Sequence, residues 1–211
     1  MPKPARKVEE VEAVKHQIME TARELMCEDG FESLSMRKLA NRVGMTAANI
    51  YNYFTNKDEL YLVIQTTGFQ MLYDRFATIY VSEEAPMEKL SGLMRAYIRF
   101  GMEYPDFYEI MFSRNTPKYA DYKGTPMEPT ASMEKQTALN VADLTEQAIK
   151  EIAPHIAAKS PDNARYLTIV LWSTLHGVVN LYNSRVLQEV EEAADPLIDR
   201  MIDDLVRRFF T

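Results

Sequence analysis

The sequence has one cysteine and seven glycines in 211 residues. A lone Cys27 excludes an intramolecular disulfide and any cysteine-based metal cluster. It follows Leu25 and Met26 in a helical pattern, where it is either a small buried residue or a redox sensor. Glycine is scarce and the ten prolines are clustered. Few positions then favour tight β-turns, which argues against an all-β sandwich or barrel. No run approaches the ~20 apolar residues of a membrane span, and the N-terminal MPKPARKVEEVEAVKH has no apolar signal-peptide core. A cytoplasmic protein with no membrane partner is expected. The three histidines, His16, His155 and His176, fall outside any His-Glu-x-x-His spacing, and no nucleophile elbow is present. These absences weigh against an enzyme, and neither a metal nor a cofactor is expected.

What is present suits a helical core. Hydrophobic residues make up 46% and charged residues 26%, near the soluble average, and a chain of this length buries a real core. Met (13), Tyr (12) and Phe (9) are plentiful and pack adaptably. The net charge of −7 argues against nucleic acid at first. The average hides a local reversal: from Ser33 to Lys57 the chain carries Arg37, Lys38, Arg42 and Lys57 and no Asp or Glu. A local patch, not the total, sets the field that a phosphate backbone feels.

Apolar spacing of three and four predicts nine helices and no strand of any length. They fall at about 11–28, 36–43, 47–54, 57–81, 87–103, 106–113, 131–152, 161–187 and 196–210. In the first, Ile18, Ala22, Leu25 and Met26 share a face. Ser35 is the N-cap candidate of the second and Gly44 its stop; Thr46 is the N-cap candidate of the third. Small Ala40 lets these two helices approach, and Leu39, Val43, Ile50 and Phe54 supply the seam. Two short helices around a Gly-Met-Thr turn have the layout of a helix-turn-helix. Residues 115–130 are the longest stretch read as non-helical. Ser160-Pro161 and Asp195-Pro196 each give a cap followed by proline at the first helical position.

A helix that enters a DNA groove needs small N-terminal residues and polar groups for base edges, and Thr46, Ala47, Ala48 and Asn49 fit. Tyr51 and Tyr53 offer hydroxyls, and Lys57 a charge, for phosphates. The blander readings are surface or core aromatics and a solvated lysine. Lys57 is electrostatically misplaced at a helix N-terminus unless an external anion meets it. Lys3, Arg6 and Lys7 form an arm that reaches a minor groove or merely solubilises the chain.

The segment 35–54, with Lys57-Asp58-Glu59-Leu60 behind it, resembles the DNA-binding region of the TetR family of transcriptional regulators. The matching features are Gly30-Phe31, Arg37, Leu39-Ala40, Val43-Gly44-Met45-Thr46, Ile50-Tyr51, Tyr53-Phe54, Lys57 and Leu60, within roughly residues 12–65. The resemblance implies DNA contacts at Thr46, Ala47, Asn49, Tyr51, Tyr53 and Lys57. Ala47 departs from a position that is frequently basic and Ala48 from a frequent glycine. Trp172 with His176-Gly177, in LWSTLHGVVNLY, looks like the Trp-His-Gly signature of a C-terminal ligand-binding subclass.

The later helices have two roles to explain. The helix at 161–187 is apolar on nearly every side. The last helix carries Leu197, Met201, Leu205 and Phe209 beside a second stripe of Ile198, Ile202, Val206 and Phe210. Two adjacent stripes exceed what one neighbour covers. A homodimeric four-helix bundle, which the resemblance also implies, would bury the surplus, with Trp172, Val179, Leu197, Met201, Leu205 and Phe209 at the interface. The run Tyr97, Phe100, Tyr104, Tyr108, Met111 and Phe112 is either core or one wall of a ligand pocket, to which Trp172 and His176 add. His176 is a ligand contact or a core histidine, and Gly177 is explained by close packing of a helix or ligand.

The expected organisation is an all-α fold with an arm at 1–12, a helix-turn-helix domain at 13–60 and a ligand-binding and dimerisation domain at 61–211. The expected function is a ligand-responsive repressor, a homodimer on a pseudo-palindromic double-stranded operator, with a small-molecule inducer as its other partner. The alternatives are an all-α enzyme and a helical adaptor that binds only protein.

Overall fold

The computed structural model describes residues 8–113, 116–154, 162–191 and 193–210. Lys3, Arg6 and Lys7 of the expected arm, His155 and the Ser160-Pro161 cap lie outside them. Among the described residues the fold is all-α, with no strand. Helix α1 spans Val8–Asp29 and buries Ile18, Ala22, Leu25 and Met26, the four residues that spacing placed on one face. It begins before residue 11, and Glu9 and Glu10 in its first turn complement the helix dipole. A 3-10 turn, Phe31–Ser33, follows.

Helix α2, Met36–Val43, is capped by Ser35, whose side chain accepts from the Lys38 amide at 3.2 Å. It stops at Gly44 in the left-handed conformation, φ 77°. There the Met45 amide donates to the Ala40 carbonyl at 2.9 Å, and the Gly44 amide to that of Asn41 at 3.3 Å. This paired closure requires the glycine. Helix α3, Ala47–Ile50, is capped by Thr46, which accepts from the Asn49 amide at 3.2 Å. Regular α-helix was expected to reach 54 but ends at Ile50. Beyond it the Asn52 amide donates to Asn49 O at 3.2 Å and the Tyr53 amide to Ile50 O at 2.9 Å, a tightened last turn.

The remaining elements are α4 Lys57–Tyr80, α5 Pro86–Glu103, α6 Pro105–Tyr108, a π-turn Glu109–Ser113, α7 Tyr119–Tyr122, α8 Glu128–Ile152, α9 Asp162–Asn183, α10 Val186–Val190 and α11 Ala194–Phe210. Each of the nine expected helices has a counterpart among the described residues, where α7 and α10 are additions. Helix α7 forms inside the stretch read as non-helical, where the Asp121 carboxylate accepts from the Lys118 amide at 2.7 Å. Helix α8 starts before residue 131; the Gly124 amide donates to its Glu128 side chain at 2.8 Å. Helix α10 exists because Arg185 takes φ 62°, which breaks the expected 161–187 helix in two.

The helices group into two compact units. One comprises the described chain up to Gly68 together with Asp106–Lys135; the other comprises Phe69–Pro105 and the described chain from Gln136 onward. In the first unit, polar bonds tie Asp106–Lys135 to α1 and α4. Arg23 pairs with Asp106, and the Tyr61 hydroxyl bonds Thr116. Gln65 donates to the Ile110 carbonyl at 3.1 Å inside the π-turn, and the Tyr122 hydroxyl donates to Asp58 at 3.3 Å. Gly68 lets the π-turn close in: a Cβ there would lie 2.5 Å from Met111 Sδ. Burial pushes the Tyr61 hydroxyl up to about 12.

In the second unit α5 packs against α9 and α11. Helix α9 buries Ala164, Leu167, Thr168, Leu171, Leu175, Val178 and Val179 along one side. Helix α11 buries Ile198, Ile202 and Val206 and leaves Leu197, Met201, Leu205 and Phe209 half-buried.

Candidate nucleic-acid interface

The second helix of the motif is anchored from inside. Ile50 is fully buried and Phe54 nearly so, as are Leu39 and Ala40 of α2; Val43 is half-buried. With those residues turned in, Thr46, Ala48, Tyr51 and Asn52 are exposed, and Ala47, Asn49, Tyr53 and Lys57 are half-buried. Tyr51 is 52% exposed, a large apolar ring held in water by the anchoring of its neighbours. The six residues that the resemblance implies thus fall in one short segment: Thr46 caps α3, Ala47 and Asn49 lie on it, Tyr51 and Tyr53 follow it, and Lys57 begins α4.

The electrostatics differ from the reading of the sequence. The acid-free stretch is met by acids from outside it. Lys38 pairs with Asp29 at 2.6 Å and Arg42 with Glu28 at 2.9 Å. The Glu28 hydrogen bond raises the Arg42 pKa above its ordinary value. Lys57 lies 3.9 Å from Glu32, and its Nζ stands 4.4 Å from the Phe31 ring centroid. That cation–π contact gives Lys57 a local reason to sit at a helix N-terminus. Among the described residues Arg37 alone of the four has no ion-pair partner. Composition misses these pairs because the partners are separated by 9 to 25 positions. Exposed ion pairs are worth only about 0–1 kcal/mol, so a phosphate competes with them at little cost. The start of α4 is itself capped: Asn56 accepts from the Glu59 amide at 2.8 Å, and Glu59 from the Thr55 amide at 2.6 Å.

The expected pocket wall is divided between the units. Tyr97 and Phe100 are buried in the second unit, and Tyr104 is half-buried there beneath Arg75, 5.2 Å from its ring centroid. Tyr108 and Met111 are buried in the first, with Phe112 half-buried beside Tyr108 at 5.0 Å. Tyr97 and Trp172 line a common cavity with Phe76, Met94 and Leu171, but its volume is about 10 Å³, no more than one water needs. His176 is half-buried, and burial holds its pKa below the ordinary histidine value. The close packing expected at Gly177 is not found among the described residues; a Cβ there would meet nothing within 4 Å.

Of the expected interface positions, Trp172, Leu197, Met201, Leu205 and Phe209 keep exposed surface. Val179 does not: it is 0% exposed within its own unit and leaves nothing for a partner. Being on an all-round apolar helix, its side could not be told from spacing. Spacing could not assign Tyr166 (64% exposed), Ile169 (56%) and Leu181 (45%) on α9 to an outer side for the same reason. Among the described residues no group of three or more His, Cys, Asp or Glu could hold a metal ion, and no helix is long and apolar enough to cross a membrane.

Two family models match the chain. One is described as bacterial regulatory proteins of the tetR family, over residues 18–64; the other as the tetracyclin repressor-like C-terminal domain, over residues 90–205. The chain is 25% identical over 87 residues to the HTH-type transcriptional repressor KstR2 of Mycobacterium tuberculosis, a match covering 41% of this chain. That match spans 44% of the relative, less than half its length. The solved structure of the ketosteroid transcriptional regulator KstR2 superposes with a TM-score of 0.68 at 14% identity, covering 94% of this chain and 95% of that one. A protein of unknown function from Rhodococcus sp. RHA1 superposes with a TM-score of 0.72 at 20% identity over 100% of both chains. The motif at 18–64 and the helices at 90–205 each match their own model, and together they place this chain in the TetR family.

Proposed function

We propose that the protein is a DNA-binding transcriptional regulator that acts as a homodimer on a pseudo-palindromic operator. The observation that carries this reading is the turn at 46–57. Ile50 and Phe54 face inward, and Thr46, Ala47, Asn49, Tyr51, Tyr53 and Lys57 are gathered outside with no acid among them. Thr46 and Asn49 read base edges; Tyr51, Tyr53 and Lys57 hold phosphates; small Ala47 admits the backbone to the groove. Lys57 exchanges Glu32 for phosphate while Phe31 keeps its ammonium in place.

The dimer forms through α9 and α11. Leu197, Met201, Leu205 and Phe209 are the half of α11 left over once Ile198, Ile202 and Val206 pack inside, and Trp172 contributes from α9. Open space at Gly177 suits the close approach of a second copy. Two-fold symmetry then sets two recognition helices against two half-sites. The regulator answers to a small molecule whose entry widens the Tyr97–Trp172 cavity, lined on α9 by Leu171, Trp172 and Leu175 and extended toward His176, the next residue in sequence. Repression is relieved when the bound form favours a different separation of the recognition helices.

The experiment is a gel shift at increasing salt, with the DNA upstream of the protein's own gene. Binding that weakens steeply with salt is expected. Absence of binding to every DNA tried would favour the protein-only adaptor.

A further inference from the structure

Between α5 and α11 the charges form a ladder with one rung open. Arg95 of α5 holds Asp199 of α11, with Nε 2.8 Å from Oδ1, and reaches Asp203 at 3.2 Å. One helical turn along α5 comes Arg99, and one turn back along α11 comes Asp195. Residues four apart share a helix face, so Arg99 and Asp195 are the next rung. Neither has an ion-pair or hydrogen-bond partner among the described residues. Both line one groove of about 340 Å³, whose apolar lining is Ile98, Met102 and Ile198. The other charges there are committed: Glu103 pairs with Arg75 at 2.7 Å, and Arg95 is held by its two carboxylates. One guanidinium and one carboxylate, from opposite helices, remain over an apolar floor.

We infer that this groove binds a small zwitterion, an α-amino acid with an apolar side chain. The Arg99 fork donates to the ligand's carboxylate. Asp195 accepts its ammonium, and the side chain lies on Ile98, Met102 and Ile198. A simple anion is repelled by Asp195, Asp199 and Glu103 along the same groove, and a neutral ligand leaves both open charges unmet. The volume is at the lower end for small-molecule sites, about 300–1,000 Å³. The groove shares no lining residue with the Tyr97–Trp172 cavity.

The test is calorimetric titration of the full chain, without DNA, by L-leucine, L-leucine amide and N-acetyl-L-leucine. Failure here therefore stands apart from failure of the DNA-binding reading. Saturable binding of leucine is expected, with each blocked analogue about tenfold weaker, the loss of one charge-assisted contact. Arg99→Gln should weaken leucine about tenfold and erase its advantage over the amide, while the advantage over the N-acetyl form survives. Asp195→Asn should do the reverse. Both residues are exposed, so the variants should keep the parent's melting temperature. No saturable binding of leucine, methionine or phenylalanine would overturn the inference. So would leucine binding that both substitutions leave unchanged.

Discussion

Helix α3 and helix α11 each bury one side and leave the other, and the sides they leave differ in kind. Ile50 and Phe54 fix the inner side of the motif's second helix, and what remains outside is Thr46, Ala48, Tyr51 and Asn52. Ile198, Ile202 and Val206 fix the inner side of α11, and what remains is Leu197, Met201, Leu205 and Phe209. A face that carries the Thr46 and Tyr51 hydroxyls and the Asn52 amide beside small Ala48 is stable in water, and on the proposed reading its polar groups meet phosphates and base edges. A face of four large apolar side chains is stable only when covered. On the proposed reading the first face meets DNA and the second a second copy, and each can be damaged without the other.

The largest effect should come from the anchor of the DNA-binding face. Ile50→Ala removes a fully buried side chain and should cost about 2–5 kcal/mol in the first unit. Thermal unfolding followed by circular dichroism should show the loss, and DNA binding should go with it while dimerisation survives. The converse variant replaces Leu205 and Phe209 by Glu. It should leave a folded monomer by light scattering, because neither residue belongs to the buried stripe of α11. A folded double variant that stays dimeric would place the interface elsewhere. A smaller effect is expected at the cap of α3: Thr46→Ala should cost about 1 kcal/mol through the lost bond to the Asn49 amide.

The contrast between the faces also separates what was legible in the sequence from what was not. The motif was legible because its determinants are local. Ser35, Gly44 and Thr46 act within four residues of themselves, and each performs its expected role. The double stripe on α11 was legible because four-residue spacing identifies both faces. On α9 nearly every face is apolar, so spacing could not tell Val179, which is buried, from Ile169, which is exposed. The grouping of Asp106–Lys135 with the first unit was not legible either. It rests on single polar bonds between positions 45 to 83 apart, Gln65 to Ile110 and Arg23 to Asp106 among them. Shorter separations, of 9 to 25 positions, hid Glu28, Asp29 and Glu32 from the charge reading of the motif.

The central claim is that the turn at 46–57 divides its work between base edges and phosphates, and operator-library binding at several salt concentrations tests it most directly. Lys57→Ala should weaken every sequence about equally and lower the salt slope by about one unit, since one fewer counterion is released. Asn49→Ala should instead relax the preference at one base pair by about 1–3 kcal/mol and leave the salt slope as it was. A sequence-selective loss for Lys57→Ala, or a uniform loss for Asn49→Ala, would contradict the account.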